Sequence, residues 1–194
     1  MVKELENKSL EQALKEGGQG SIIMMELPTD SYFDANSDTI KQFIDKGFEG
    51  IYISFQRPFK NILSFLGDKG IDVDKLLFID AASSLCDEQQ HEDIHCIHIS
   101  QETEIDELVK AIYTSLPKLK SKKRFVFIDS LTTITLYKPL SETMRFSEFL
   151  IRTVRKDETE NITLIFNVAK DLAEKKFIRD VVFHVDQVVS VQNE

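Results

Sequence analysis

Three observations point this chain toward a three-layer α/β/α domain built on a mainly parallel central sheet. Short apolar runs alternate with amphipathic segments along the whole length. One of those runs, Phe125–Ile128, holds no polar residue, as a strand covered on both faces of a parallel sheet requires. The 194 residues suit one domain, 42% of them are hydrophobic, and no internal repeat or low-complexity segment divides them. The expected division is an N-terminal helix and linker over residues 1–19 and a single core over residues 20–194.

The elements follow in order. Leu5, Leu10, Ala13 and Leu14 fall on a helical period, so Leu5–Glu16 reads as a helix stopped by Gly17 and Gly18. Ser21–Met25 is the first buried strand. A polar loop with Pro28 and several aspartates leads to a helix over Ser37–Lys46, ended by Gly47. Ile51–Phe55 is the second strand. Pro58 suits the first turn of the next helix, which packs Phe59, Ile62, Leu63 and Leu66 and ends near Gly70. Strands are expected at Leu76–Ile79 and Ile94–Ser100, then a helix at Ile105–Leu119 with Leu108, Ile112 and Leu116 a turn apart. After Phe125–Ile128 come a helix over Leu140–Arg155, a strand over Ile162–Phe166, a helical spacing over Lys170–Val185 and an edge strand at Gln187–Val191. The β-branched residues of Val181–Val185 leave that stretch ambiguous between helix and strand.

Charge is unevenly placed. The formal net charge is −9, and residues 76–109 contain nine acids and no Lys or Arg, leaving 24 charges of each sign elsewhere. Phosphate neutralisation needs clustered cations on a basic face, so general nucleic-acid binding is not expected. The basic cluster Lys118, Lys120, Lys122, Lys123 and Arg124 lacks interleaved aromatics for base stacking and reads as a solvated helix end. The acidic segment is a solvated surface or a docking face for a basic partner. Cys86 and Cys96 are too few for a disulfide framework, and no run nears the roughly 18 apolar residues of a membrane span. A cytoplasmic protein, without membrane association, is the expectation. His91, His95 and His98 with Cys86 and Cys96 do not form a metal site at their spacing, since His95 and His98 fall on opposite faces of a strand. No metal ligand is assigned.

Ligands of open parallel sheets bind beyond the carboxyl ends of the strands. After the first strand stand Leu27, Pro28, Thr29, Asp30 and Ser31. The context of strand, turn and helix suits a phosphate loop, but the chemistry does not. No glycine occurs between Gly20 and Gly47, and no lysine before Lys41. Asp30, Asp34 and Asp38 would repel a polyphosphate, and they suit the positive end of a helix instead. After the second strand stand Gln56 and Arg57, neither of which can act as a general base. After Phe125–Ile128 stand Asp129 and Ser130, either a Walker B-type carboxylate that meets Mg²⁺ through water or a helix N-cap.

Taken together, Gly20-Ser21-Ile22-Ile23, Gly50–Phe55, Gly70-Ile71-Asp72 with Leu76, Phe125–Thr132 and Val185–Val189 resemble, in order and spacing, the KaiC-like branch of the RecA-superfamily ATPases, chiefly its archaeal members. The resemblance spans about Gly17 to Val191. It implies a P-loop NTPase fold in which Leu27–Asn36 replaces the family's glycine-rich loop with its Lys and Thr. Gln56 and Arg57 occupy the positions of its catalytic glutamates, and Asp129 retains the Walker B carboxylate. The implied protein is a degenerate domain that does not hydrolyse ATP, has no assigned ATP or Mg²⁺ cofactor, and serves as a protein-binding or regulatory module; nucleotide binding without hydrolysis is a separate question. Its partner would be another protein or a second copy. The alternative is an atypical NTPase that completes its site across a subunit interface.

Overall fold

The computed structural model describes residues 20–83, 95–100, 104–156, 161–172 and 175–191, together with Gln12. Seven strands form one sheet: β1 (Ile22–Leu27), β2 (Glu49–Ser54), β3 (Leu76–Asp80), β4 (Cys96–His98), β5 (Arg124–Asp129), β6 (Ile162–Ala169) and β7 (Gln187–Ser190). Their order is β4-β3-β2-β5-β6-β1-β7, and every described pairing is parallel. Among the described residues six helices cover the sheet: α1 (Tyr32–Asp45), α2 (Phe59–Asp68), α3 (Ile105–Ser115), α4 (Leu131–Tyr137), α5 (Leu140–Lys156) and α6 (Lys176–Val182). This is a three-layer RecA-like α/β fold.

Alternation along the strands divides the core in two. Ile23, Met25, Tyr52, Phe125 and Phe127 face α1 and α2, where they pack with Phe43, Phe59 and Leu66. Ile22, Met24, Val126, Ile128 and Phe166 face the other helices, with Leu108, Ile134, Phe146 and Ile178. The central strands are buried on both faces, which is why Phe125–Ile128 carries no polar residue. Gly50 makes room for this packing, because a Cβ there would lie 2.3 Å from the Phe125 ring.

Several elements depart from the sequence reading. α1 begins at Tyr32, five residues before the expected Ser37, so Tyr32–Asn36 belongs to the helix and not to a loop. The weak helix formers Asp34, Asn36, Ser37 and Asp38 disguised that turn. It is held instead by tertiary contacts of Tyr32 and Asn36 and by the Thr39 hydroxyl, which donates to the Ala35 carbonyl at 2.7 Å. α4 was not expected at all, since Leu131-Thr132-Thr133-Ile134-Thr135 is β-branched and reads as extended. β6 runs on to Ala169, three residues past the expected end, and keeps its ladder with β1 as far as Leu27↔Ala169. α3 stops at Ser115 and passes into a 3₁₀ turn, α6 is confined to Lys176–Val182, and β4 to Cys96–His98. The expected helix at Leu5–Glu16 lies outside the described residues except for Gln12, as do Cys86 and His91. No described helix is long and apolar enough to cross a membrane.

Candidate functional site

The helices following β2 and β5 leave on opposite faces of the sheet, yet the two strands are neighbours, paired Ser54↔Asp129 at their carboxyl ends. A crevice at that switch point is where the fold offers a ligand site. β1 ends two strands away, across β6.

Asp129 continues the alternation of Phe125 and Phe127 and points to the α1/α2 side. Its side chain is fully buried, at 0% exposure. The Tyr32 hydroxyl, from the first residue of α1, donates to Asp129 Oδ1 at 2.6 Å. The Tyr52 hydroxyl, from the middle of β2, donates to Asp129 Oδ2. Burial raises the Asp129 carboxyl above the usual carboxylate range; the hydrogen bonds from Tyr32 and Tyr52 and the charge of Arg57 act in the opposite direction without cancelling it. Both tyrosine hydroxyls are pushed well above their ordinary value, by burial first and then by the negative charge and hydrogen bond of Asp129. Asp129 therefore helps keep both tyrosines protonated, while its own rise comes from burial alone. Asn36 extends the belt, its Oδ1 accepting from Asn167 Nδ2 of β6 at 2.9 Å. The result is a buried polar row across β2, β5 and β6, roofed by α1.

Asp129 is not an N-cap. That role belongs to Ser130, whose Oγ accepts from the Thr133 N–H at 3.2 Å and starts α4. Ser130, Thr132 and Thr133 form a hydroxyl cluster with separations of 2.9 and 2.8 Å from the Ser130 oxygen. The exposed Gln56 joins it, its Nε2 donating to Thr133 Oγ1 at 2.6 Å. Arg57 turns the other way: its guanidinium carbon sits 3.2 Å from the centre of the Phe33 ring, a cation–π contact on the α1 side. The Arg57 backbone is held by Ser54, whose hydroxyl donates to the Arg57 carbonyl at 2.7 Å.

The turn after β1 is shorter than expected. Leu27 is the last residue of β1 and Tyr32 the first of α1, which leaves Pro28, Thr29, Asp30 and Ser31 as the whole connection. The Thr29 hydroxyl donates to Asp171 Oδ2 at 3.2 Å and ties the turn to the segment after β6. A turn of four residues, one of them proline, differs from a wrapped loop with several inward N–H groups.

Sequence reasoning missed Tyr32, Tyr52, Asn36 and Asn167. Polar residues within Ile51–Phe55 and beyond Ile162–Phe166 were the available signal, since a polar side chain in a doubly covered strand needs a partner. It also missed Asp80 at the end of β3. This buried carboxylate accepts from the Phe59 N–H at 2.7 Å, from the Ala82 and Ser83 N–H groups at 2.9 Å each and from the Ser83 hydroxyl at 2.6 Å. Asp80 thus holds the start of α2 and is not part of an acidic surface, a correction to the reading of residues 76–109 as one face. Glu104, Asp106 and Glu107 are exposed at the start of α3, and Asp87, Glu88, Glu92, Asp93 and Glu102 lie outside the described residues. His98 Nδ1 lies 3.5 Å from Asp80 Oδ2. The basic cluster sits at the amino end of the sheet, where the Lys120 and Ser121 N–H groups donate to Glu49 Oε2 at 2.5 and 3.1 Å.

No family model matches the sequence, and no curated protein matches it. Solved structures share its fold. An uncharacterised protein from Pyrococcus horikoshii, in complex with an unknown peptide, is 18% identical with a TM-score of 0.69, over 95% of this chain and 83% of that one. A KaiC-like protein from the hyperthermophilic archaeon Pyrococcus horikoshii OT3 is 11% identical with a TM-score of 0.61, over 96% of this chain and 80% of that one. At these identities the likeness establishes a KaiC/RecA-like fold.

Proposed function

We propose that this chain is a RecA/KaiC-like domain that has lost ATP hydrolysis and acts as a protein-binding or regulatory module. The observation that carries the reading is the burial of Asp129 under two tyrosine hydroxyls. A Walker B-type carboxylate works by offering an oxygen to metal-bound water, and here both oxygens accept from tyrosine in a site closed to solvent. The remaining donor set does not fit a magnesium nucleotide. The β1–α1 turn brings no lysine and no glycine, its charged residue is Asp30, and Gln56 and Arg57 supply no base. In phosphoryl transfer most of the rate comes from positioning and charge stabilisation, and both are lost together.

The switch-point residues have taken on structural work. Tyr32 pins α1, Ser130 starts α4 and Gln56 braces the Ser130–Thr133 cluster. What is left for function is surface, and the α4–α5 corner exposes Leu136, Tyr137 and Leu140 at 75%, 48% and 51%. A fold neighbour held an unknown peptide, which makes peptide segments the first ligands to try.

The test is ATP turnover by the purified protein beside Asp129→Asn, which keeps the volume and one acceptor oxygen for the tyrosines. Wild type and variant are expected to show the same background rate. Turnover in the wild type that Asp129→Asn abolishes, with the variant folded by circular dichroism, overturns the proposal and favours a site completed between subunits.

A further inference from the structure

On the α3–α4 side of the sheet, away from the Asp129 belt, the carboxyl ends of β2, β3 and β4 leave a small apolar cleft, partly open to solvent. Phe55, Ala81, Ile99, Ile105, Ile134 and Tyr137 line it, and the only polar linings among the described residues are Ser100 and Lys138. Its wall includes Tyr137, exposed like its sequence neighbours Leu136 and Leu140. An apolar hollow that runs into three exposed large side chains is a surface that gains by being covered.

Charge says what covers it. Ile105 and Leu108 of the cleft wall stand on the first turn of α3, and the same turn exposes Glu104, Asp106 and Glu107. Asp106 is paired with Arg145 at 3.0 Å, both side chains exposed, whereas neither Glu104 nor Glu107 has a cationic partner among the described residues. The one basic lining residue, Lys138, can lay its alkyl stem along the wall with its ammonium in water. The cleft thus has an apolar floor and an acidic shoulder, in a chain of net charge −9.

We propose that this cleft docks an extended segment of a protein partner that presents one large apolar side chain, such as Leu, Met or Phe, with Lys or Arg beside it. The apolar residue fills the hollow and supplies the affinity. The basic residues meet Glu104 and Glu107, setting orientation and association rate more than strength. The proposal rests on the reading of the chain as a protein-binding module and names that module's partner by its chemistry.

A displayed library of random peptides, selected on the full-length protein, tests it, with enriched peptides then measured as labelled probes by fluorescence anisotropy. The expected consensus is one large apolar residue flanked by Lys or Arg. Tyr137→Ala is expected to weaken the probe about tenfold, as loss of an anchor contact does. The double variant Glu104→Lys, Glu107→Lys is expected to weaken it several-fold and flatten its salt dependence. Asp45→Lys, on the far end of α1, should leave binding unchanged; an equal loss there means non-specific attraction and overturns the proposal. So do a consensus that is acidic or lacks an apolar anchor, an enriched probe indifferent to Tyr137→Ala, and a selection that enriches nothing because another copy already fills the cleft. Light scattering identifies the last case: a dimer that Leu136→Ser splits assigns the face to a second copy. Assaying the same samples for ATP turnover separates the two readings. Peptide binding with turnover retains the cleft and removes the non-catalytic reading, whereas neither activity removes the cleft alone.

Discussion

The work Asp129 does is set by what surrounds it. In the crevice of an open sheet a carboxylate at a strand end is well placed for a metal; under two tyrosines it becomes a buried tie between β2, β5 and α1. Tyr52→Phe removes one donor from a buried carboxylate and is expected to cost about 1–3 kcal/mol of unfolding free energy, read by urea denaturation. The pH dependence has a definite sign. Burial raises the Asp129 pKa above its unfolded value, so the native state retains a proton that the unfolded chain has released. Its contribution is complete below the usual carboxylate range and is lost as pH rises from there through the raised value. Asp129→Asn removes this slope, so the stability of the wild type relative to Asp129→Asn should fall with rising pH across that window. A difference that rises with pH would mean a carboxylate stabilised in its charged form. Tyr32 and Tyr52 act in the same direction at higher pH, because the unfolded tyrosines ionise near pH 10 while the folded ones stay protonated.

At the scale of elements, α4 depends on its cap more than on its composition. Its seven residues include three threonines and an isoleucine, poor helix formers that stay helical because Ser130 caps the first turn and Leu131 and Ile134 are buried. Ser130→Ala is expected to cost about 1 kcal/mol in thermal or urea unfolding, with Gln56 losing one of its two hydroxyl partners. A change near zero would show that packing alone holds the helix. α4 and the first turn of α1 are also where sequence reasoning stopped short. The strands were readable because apolar runs bounded by glycine and polar loops leave few alternatives, and Phe125–Ile128 announced the sheet's centre. Tyr32–Asn36 was not, because it owes its helix to a hydroxyl reaching a carboxylate 97 positions away, an interaction with no local signature. Asn167 was hidden in the same way, since its partner Asn36 lies on another element. Leu27–Ser31, Gln56, Arg57 and Asp129 stand at or just past strand ends, as the apolar runs indicated; what each side chain does there had no signal in the sequence.

For the whole molecule, the sheet order and its two sets of helices form a KaiC/RecA-like frame whose crevice is built from tyrosine, asparagine and a buried aspartate. The acidic excess that stands out in the sequence is divided by the fold. Asp80 is consumed in holding α2, while Glu104, Asp106 and Glu107 remain at the surface beside the apolar cleft. On the function proposed above, the ligand is a protein segment and not a nucleotide. Calorimetric titration of the full-length protein with Mg-ATP reads that choice without depending on turnover. The reading advanced for this protein expects no saturable heat at millimolar nucleotide. A stoichiometric isotherm that disappears in Asp129→Asn, with that variant folded, would contradict it.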